Sequence, residues 1–166
     1  MCDQGNDAVP RRSTLALGPT CRMFEGDLIR PLGWMTLNFG YAEAEVNFVI
    51  AALRPAGVDF EAPPAAPLGQ RLRALIAIVG RMQSPASAEV VAILEESGPL
   101  IEKRNSLVHA CVLAGGKVQP NDSAKPQFSV TPEELVALGE QLFNWKERLS
   151  AAVQLRLLPA LLRDRT

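Results

Sequence analysis

The residues of this chain that could perform chemistry lie in the segment IEKRNSLVHACVL, residues 101 to 113. His109 is the only histidine among 166 residues, and it follows Arg104 by five positions. An imidazole can transfer protons near neutral pH, and a guanidinium is a permanent positive charge that binds anions. Either the two side chains act together, or His109 is a solvated or backbone-bonded residue at the edge of a helix.

Helical projection of this segment separates the two residues. With about 100° of rotation per residue, Arg104 lies about 40° from Leu100, in the middle of an apolar arc, so we predict that it faces inward. His109 lies about 140° from Arg104, at the border of that arc, with Asn105 one turn before it. The projection alone therefore leaves the role of His109 open.

The first predicted helix also carries an acidic residue on its apolar side. Its large apolar positions recur every three to four residues: Trp34, Leu37, Tyr41, Phe48 and Ala52. Glu45 lies about 20° from Trp34 on the same projection, so we predict that Glu45 faces inward. Glu43 falls on the polar side of the projection.

An inward acid and an inward arginine predict an ion pair. Burying one unpaired charge costs several kcal/mol, and a carboxylate can bind a guanidinium through two hydrogen bonds. We therefore expect Glu45 to contact Arg104 across the helices. Two alternatives stay open: both long side chains could lie near the helix ends and reach water, or the pair could be purely structural.

The elements that must position these residues are helical. We predict helices over residues 30–53 and 68–82, a third from 86 to 113 with a kink at Gly98-Pro99, and a fourth that starts after Thr131 and extends to about Leu158. Thr131, Pro132 and Glu134 have the pattern of a capping box with proline at the first helical position. The predicted fold class is all-α, an antiparallel four-helix bundle.

The remaining segments divide the chain into three parts. Residues 1–26 mix Pro, Gly, Asp and Asn without periodicity and predict a flexible leader. Residues 27–158 form the predicted helical bundle, which includes a proline-rich loop at 54–67, a loop at 114–126 and a short extended piece at QFSV. Residues 159–166 are a predicted C-terminal tail.

Composition limits the classes of function. Apolar residues make up 48% of the chain and its formal net charge is -1, which fits one globular domain without global attraction to nucleic acid or membranes. Three scattered cysteines and one histidine form no recognisable zinc set, so we expect reduced thiols, a cytoplasmic location, no membrane span, no metal and no cofactor. AGGK lacks the spacing of a P-loop, and no nucleophile elbow surrounds Ser106.

The string RNSLVH resembles the motif of the HEPN superfamily, whose all-helical members often carry an arginine, a polar residue, a short spacer and a histidine. Arg104, Asn105 and His109 match this pattern position by position. The resemblance extends over about residues 31 to 155 and implies a metal-independent ribonuclease. Some HEPN groups use an acid to orient the arginine, and Glu45 is the position that fits this supporting role.

The resemblance also implies a mechanism and partners. The substrate's own 2′-hydroxyl would attack the phosphate, His109 would transfer protons, Arg104 would bind the phosphorane charge and Asn105 would donate a hydrogen bond. HEPN ribonucleases usually join two motifs at a homodimer cleft, and many are toxins with a cognate antitoxin. Two alternatives remain: a non-catalytic HEPN-like bundle that binds a nucleotide or a partner protein, and a plain helical interaction module.

Overall fold

The computed structural model describes residues 28–58, 60, 66–112, 114–121 and 124–163. The predicted leader and part of the proline-rich loop lie outside these ranges. The described helices are α1 Ile29–Leu53, α2 Leu68–Gly80, α3 Pro85–Glu95, α4 Ser97–Val108, α5 Pro132–Ala152 and α6 Leu158–Arg163. The described strands are β1 Ala110–Val112, β2 Lys117–Pro120 and β3 Phe128–Ser129.

Three helical predictions are confirmed closely. The first two helices start within one residue of their predicted positions, and α1 ends at Leu53 as expected. The predicted third helix is interrupted between Glu95 and Ser97, just before Gly98-Pro99. Ser97 lies at this break and its hydroxyl donates to the carbonyl of Leu94 at 2.6 Å, so a buried hydroxyl finds its partner there.

The start of α5 has the predicted cap. The backbone N–H of Glu134 donates to the hydroxyl of Thr131 at 3.2 Å, and the backbone N–H of Thr131 donates to the carboxylate of Glu134 at 2.9 Å. These bonds satisfy two donors that a helix start otherwise leaves without partners. The predicted inner residues are all buried: Leu135, Leu138, Leu142, Trp145, Leu149 and Val153.

The helical path continues past the predicted end of α5. A π-turn at Val153–Leu157 leads into α6, so helix extends through Pro159 to Arg163 and the predicted tail is helical up to that residue. Pro159 lacks the N–H that would bond to the preceding turn. Just before it the helix widens into a π-turn, in which the N–H of Leu158 donates to the carbonyl of Val153.

The two longest helices run in the same direction. Near the start of each, the backbone of Met35 and the ring of Trp34 lie against Gly139, where an added Cβ would stand 2.6 Å from the indole. Beyond their ends, the 3₁₀ turn at Arg54–Ala56 contacts α6. The structure is mainly helical, as expected. However, α1 and α5 run in the same direction, whereas the first and fourth helices of the predicted antiparallel bundle would run in opposite directions.

The buried side of α1 differs from the prediction. Its core residues include Met35, Phe39, Ala42, Val46, Val49, Ile50 and Leu53. The four large residues predicted to face inward are each about half exposed instead: Trp34, Leu37, Tyr41 and Phe48. Apolar residues cover two neighbouring sides of α1. The helix α5 packs on the side that is rotated by about one residue from the side that the projection favoured.

A small antiparallel sheet follows α4, with the strand order β1-β2-β3. In its register Val112 pairs with Val118, and Val118 pairs with Phe128. Paired residues of antiparallel strands point to the same side, so one face of the sheet carries all three. The helix predicted to reach residue 113 is therefore wrong after Val108, and the extended piece predicted at QFSV is confirmed as β3.

Gly116 holds the sheet against the segment before α5. Its φ of +74° is a left-handed conformation, and an added Cβ would stand 2.2 Å from the carbonyl oxygen of Val130. The carbonyl of Gly116 also accepts from the N–H of Val130 at 2.8 Å. Only glycine permits this close approach.

The described helices contain no stretch long and apolar enough to cross a membrane.

Candidate functional site

Arg104 lies on α4 and faces α1, as predicted. Its guanidinium carbon stands 3.9 Å from the centre of the Phe39 ring, a cation–π contact with a core residue of α1. Its Nη1 donates to Oδ1 of Asn105 at 3.0 Å. The arginine side chain is therefore held by a ring on one helix and by an amide on its own.

The predicted ion pair between Glu45 and Arg104 is wrong. Among the described residues, the ion pairs join other side chains. The Oε1 atom of Glu45 and the Nε atom of Arg104 are both buried and have no hydrogen-bond partner. Glu45 is placed on the half-exposed apolar side of α1, whose orientation the projection misjudged, so the carboxylate does not reach the arginine.

Arg71 of α2, and not Arg104, forms an ion pair with an acid of α1, and the arginine is its buried partner. It is 5% exposed, and its guanidinium donates to the carboxylate of Glu43 and to the amide oxygen of Asn47. Its Nε donates to the carbonyl of Ala66 at 2.9 Å. The side of α1 that we interpreted as polar therefore faces α2.

Projection of the second helix could have found Arg71. It lies about 40° from Leu75, a fully buried residue of α2, so its position on the apolar arc is as visible in the sequence as that of Arg104. Glu43 and Asn47 are four residues apart and share one side of α1, which gave a second signal.

Burial and a nearby carboxylate act in opposite directions on Arg104. Desolvation lowers the pKa of the guanidinium, and the negative charge of Glu43 partly offsets that effect. The carboxylate whose field reaches Arg104 is thus the one that binds Arg71 directly. Glu43 therefore interacts with two arginines, directly with Arg71 and at longer range with Arg104.

His109 is the residue at which α4 ends. Its φ of -96° and ψ of 20° are not helical, its backbone N–H donates to the carbonyl of Asn105, and its side chain is exposed. The next residue, Ala110, already belongs to β1 and pairs with Pro120. The prediction that His109 lies at the border of the apolar arc agrees with its exposure, but it caps the helix instead of lying within it.

His109 opens onto a cleft of about 1040 Å³. One wall comes from α2, another from the end of α3 and one face of α4, and the third from the sheet and the turn between β2 and β3. The α4 wall includes Glu102, Asn105, Ser106 and His109, which are spaced three to four residues apart and form one stripe. Ligand sites commonly have about 300 to 1,000 Å³, so this cleft has the size of a binding site.

The lining of the cleft is mainly apolar and carries charged side chains at several points. Its cationic side chains are Arg73, Lys103 and Lys125, and its carboxylates are Glu95 and Glu102. Phe128 contributes an aromatic ring that is 37% exposed. The cleft therefore combines a partly open ring, a small excess of positive charge and the predicted proton-transfer group.

The structure brings two of the three motif residues into this cleft. Asn105 and His109 line it, whereas the residues that line it do not include Arg104, which turns towards Phe39. Asn105 connects Arg104 to the cleft, because its amide oxygen accepts from Arg104 and the residue itself lines the cleft. Glu45, the predicted supporting acid, belongs to neither group.

Sequence reasoning missed the walls contributed by α2 and the sheet. Arg73 lies 31 residues before Arg104, and Lys125 and Phe128 lie 21 and 24 residues after it, too far apart for any local pattern to group them. The segment before Phe128 was interpreted as a loop and QFSV as an isolated extended piece, so the β2-β3 hairpin and its return to α4 were not predicted.

Comparison with protein-family models, with curated proteins and with solved structures gives no match. The resemblance noted for the segment RNSLVH therefore rests on the sequence motif alone.

Proposed function

We propose that this chain is a metal-independent endoribonuclease of HEPN type, acting as a homodimer and serving as a toxin or defence component. The observation that carries the proposal is the position of His109 and Asn105 in one cleft beside Arg73, Lys103 and Lys125. Cations attract the phosphates of RNA, and the imidazole supplies a proton-transfer group next to them. A HEPN-like four-helix bundle, in which α1 and α5 run in the same direction, belongs to this proposal.

The chemistry requires three tasks from the chain's own residues. His109 takes the proton of a substrate 2′-hydroxyl as its oxygen attacks the adjacent phosphorus. Arg104 binds the negative charge of the phosphorane, which requires its guanidinium to reach past Asn105 into the cleft that it does not line in the single chain, and Asn105 orients the guanidinium through the hydrogen bond described above. Departure of the 5′-oxygen with a proton leaves a 2′,3′-cyclic phosphate on the other fragment.

A second copy of the chain supplies what one chain lacks. One histidine per chain offers one imidazole, whereas two copies joined near the end of α4 offer one to accept a proton and one to return it. The Nε–H of Arg104 is a buried donor without an acceptor. Such a donor favours a rearrangement that gives it one, and a phosphate oxygen is an acceptor that arginine binds well.

The proposal is tested by incubating purified protein, in the presence of a chelator, with a broad panel of structured and single-stranded RNAs. We expect cleavage by the wild type and its loss in His109→Ala and Arg104→Ala. Ser106→Ala is the matched control, because Ser106 lines the same face of α4 and its hydroxyl bonds to the carbonyl of Lys103. Equal behaviour of the wild type and both motif variants would contradict the proposal.

The second candidate is a HEPN-like module that binds a nucleotide or a partner protein without catalysis. One observation favours it: Arg104 faces Phe39 while His109 faces the cleft, so a single chain separates the two groups. Binding of nucleotides in the cleft without cleavage of any RNA would support this candidate over the first.

A further inference from the structure

We propose that the sheet side of the cleft is a seat for one unpaired base of a single-stranded RNA, with Phe128 as the stacking surface and Lys103 and Lys125 as phosphate ligands. The choice of RNA as the ligand rests on the proposed function. The seat itself rests on the geometry of the cleft.

The ring of Phe128 is placed for stacking by the register of the sheet. Phe128 pairs with Val118, whose side chain is fully buried, so the ring emerges from the face of the sheet that looks towards the helices. It remains 37% exposed and lines the cleft. An aromatic ring fixed by a strand and open on one side is the arrangement on which bases stack.

The opposite wall offers apolar contacts for the other face of a base. Leu72 and Ile76 of α2 and Ile101 of α4 line the cleft there. A base that enters between this wall and Phe128 loses water from both faces. Enzymes that bind extruded bases commonly use this combination of aromatic and apolar surfaces.

Two amides can read the edge of the base. Asn105 lines the cleft, and because its oxygen accepts from Arg104, its NH₂ group is left to donate to a ligand. Asn121 follows β2, is exposed and also lines the cleft. Asn105 thus offers donors to the base, and a base edge with a carbonyl acceptor fits it best.

The charges favour an anionic ligand, such as a phosphate backbone, over a neutral or basic peptide. Arg73, Lys103 and Lys125 outnumber Glu95 and Glu102, and none of these five forms an ion pair in the described part of the chain. Unpaired cations on two walls can follow the phosphates on either side of a seated base. β3 is only two residues long, too short an edge to hold an extended peptide by strand pairing.

Binding is measured separately from cleavage with fluorescein-labelled eight-nucleotide 2′-O-methyl RNAs, one homopolymer of each base. The methyl group blocks the 2′-oxygen that cleavage requires, so anisotropy reports binding alone. We expect at least one homopolymer to bind, Phe128→Leu to weaken it about tenfold and Phe128→Tyr to retain it. Leucine preserves an apolar side chain on β3, which limits damage to the fold.

Phe143→Leu is the matched control. Phe143 is 40% exposed, a fraction similar to the 37% of Phe128, but it belongs to α5 and does not line the cleft. We expect its affinity to equal that of the wild type. In Lys125→Ala the slope of log Kd against log salt concentration should fall by about 0.7, the value for one phosphate contact on a single strand.

The outcomes separate this inference from the proposed function. Binding that depends on Phe128 in a protein that cleaves no RNA upholds the base seat and contradicts the ribonuclease. Cleavage that depends on His109, in a protein whose Phe128→Leu variant binds and cleaves like the wild type, upholds the ribonuclease and overturns the base seat. Equal weakening in Phe128→Leu and Phe143→Leu, no binding of any homopolymer, or displacement of RNA by an acidic peptide pool overturns the base seat.

Discussion

The guanidinium carbon of Arg104 lies 3.9 Å from the centre of the Phe39 ring. Phe39 is a buried residue of α1, so the stack joins the motif helix to the core. The same arginine donates to Asn105, which faces the cleft. A core phenylalanine thereby orients a residue of the candidate site without reaching the cleft itself.

Phe39→Leu should reduce RNA cleavage about three- to tenfold, because leucine offers no π-face to hold the guanidinium. The free energy of unfolding should fall by about 1 to 2 kcal/mol from the lost core volume. Phe48→Leu is the control, since Phe48 lies on the same helix and is half exposed. Unchanged cleavage in a destabilised Phe39→Leu protein would limit Phe39 to packing.

Arg71→Met should lower the free energy of unfolding by about 2 to 3 kcal/mol. Methionine leaves the carbonyl of Ala66 without its donor and Glu43 without its ion-pair partner. Glu43 is 40% exposed, which lets water replace part of the loss. Arg73→Met, two residues away and exposed, should change stability by less than about 0.5 kcal/mol in the same urea titration. Equal effects of the two variants would contradict the importance of the Arg71 network.

Gly116→Ala should disturb the sheet more than Gly115→Ala. Both glycines have positive φ, so alanine costs about 1 kcal/mol at either position. Only at Gly116 would the new Cβ meet the Val130 carbonyl, whereas Gly115 has nothing within 4 Å. We expect Gly116→Ala to lose at least about 1 kcal/mol more and to weaken ligand binding in the cleft. Indistinguishable melting curves would show that the approach to Val130 is not constrained.

The Glu96 and Arg148 pair predicts a pH dependence. Nη1 and Nη2 of Arg148 bond to the two carboxylate oxygens of Glu96 at 2.6 and 2.9 Å, and this hydrogen bonding lowers the pKa of Glu96. A lowered carboxyl pKa stabilises the fold above its unfolded value, and the benefit disappears as pH falls through the folded value. The stability difference between wild type and Glu96→Gln should therefore be present at pH 7, begin to decrease near the ordinary glutamate pKa of about 4.3, and vanish once the pH is below the lowered folded pKa. A difference that grows on acidification would contradict this sign.

The sequence predicted best where one local pattern decides the structure. Thr131 and Glu134 form the expected cap because their bonds lie within one helical turn. The inner face of α5 was predictable because only one of its sides is continuously apolar. In α1 the large residues Trp34 and Tyr41 dominate the projection, yet smaller residues such as Ala42 and Val46 form the buried side.

The candidate site was predictable only on α4. The apolar residues Leu107, Val108, Cys111 and Val112 keep helical spacing across His109, so periodicity could not show that the chain turns into β1 there. The turn depends on Gly116 and its contact with Val130, 14 residues further along the chain. Long-range pairing of this kind has no signature in a local window. The positions of Lys125 and Phe128 in the cleft depend on that pairing, so they could not be predicted from the sequence.

The most direct test of the central claim is the chemistry of the product ends. RNA cut by the wild-type protein should carry 2′,3′-cyclic phosphate on one fragment and 5′-hydroxyl on the other, detected by mass spectrometry. Both ends should disappear in Arg104→Ala and in His109→Ala, while the two variants keep the wild-type circular dichroism spectrum. Products with 5′-phosphate ends, or cleavage that persists in His109→Ala, would contradict the account.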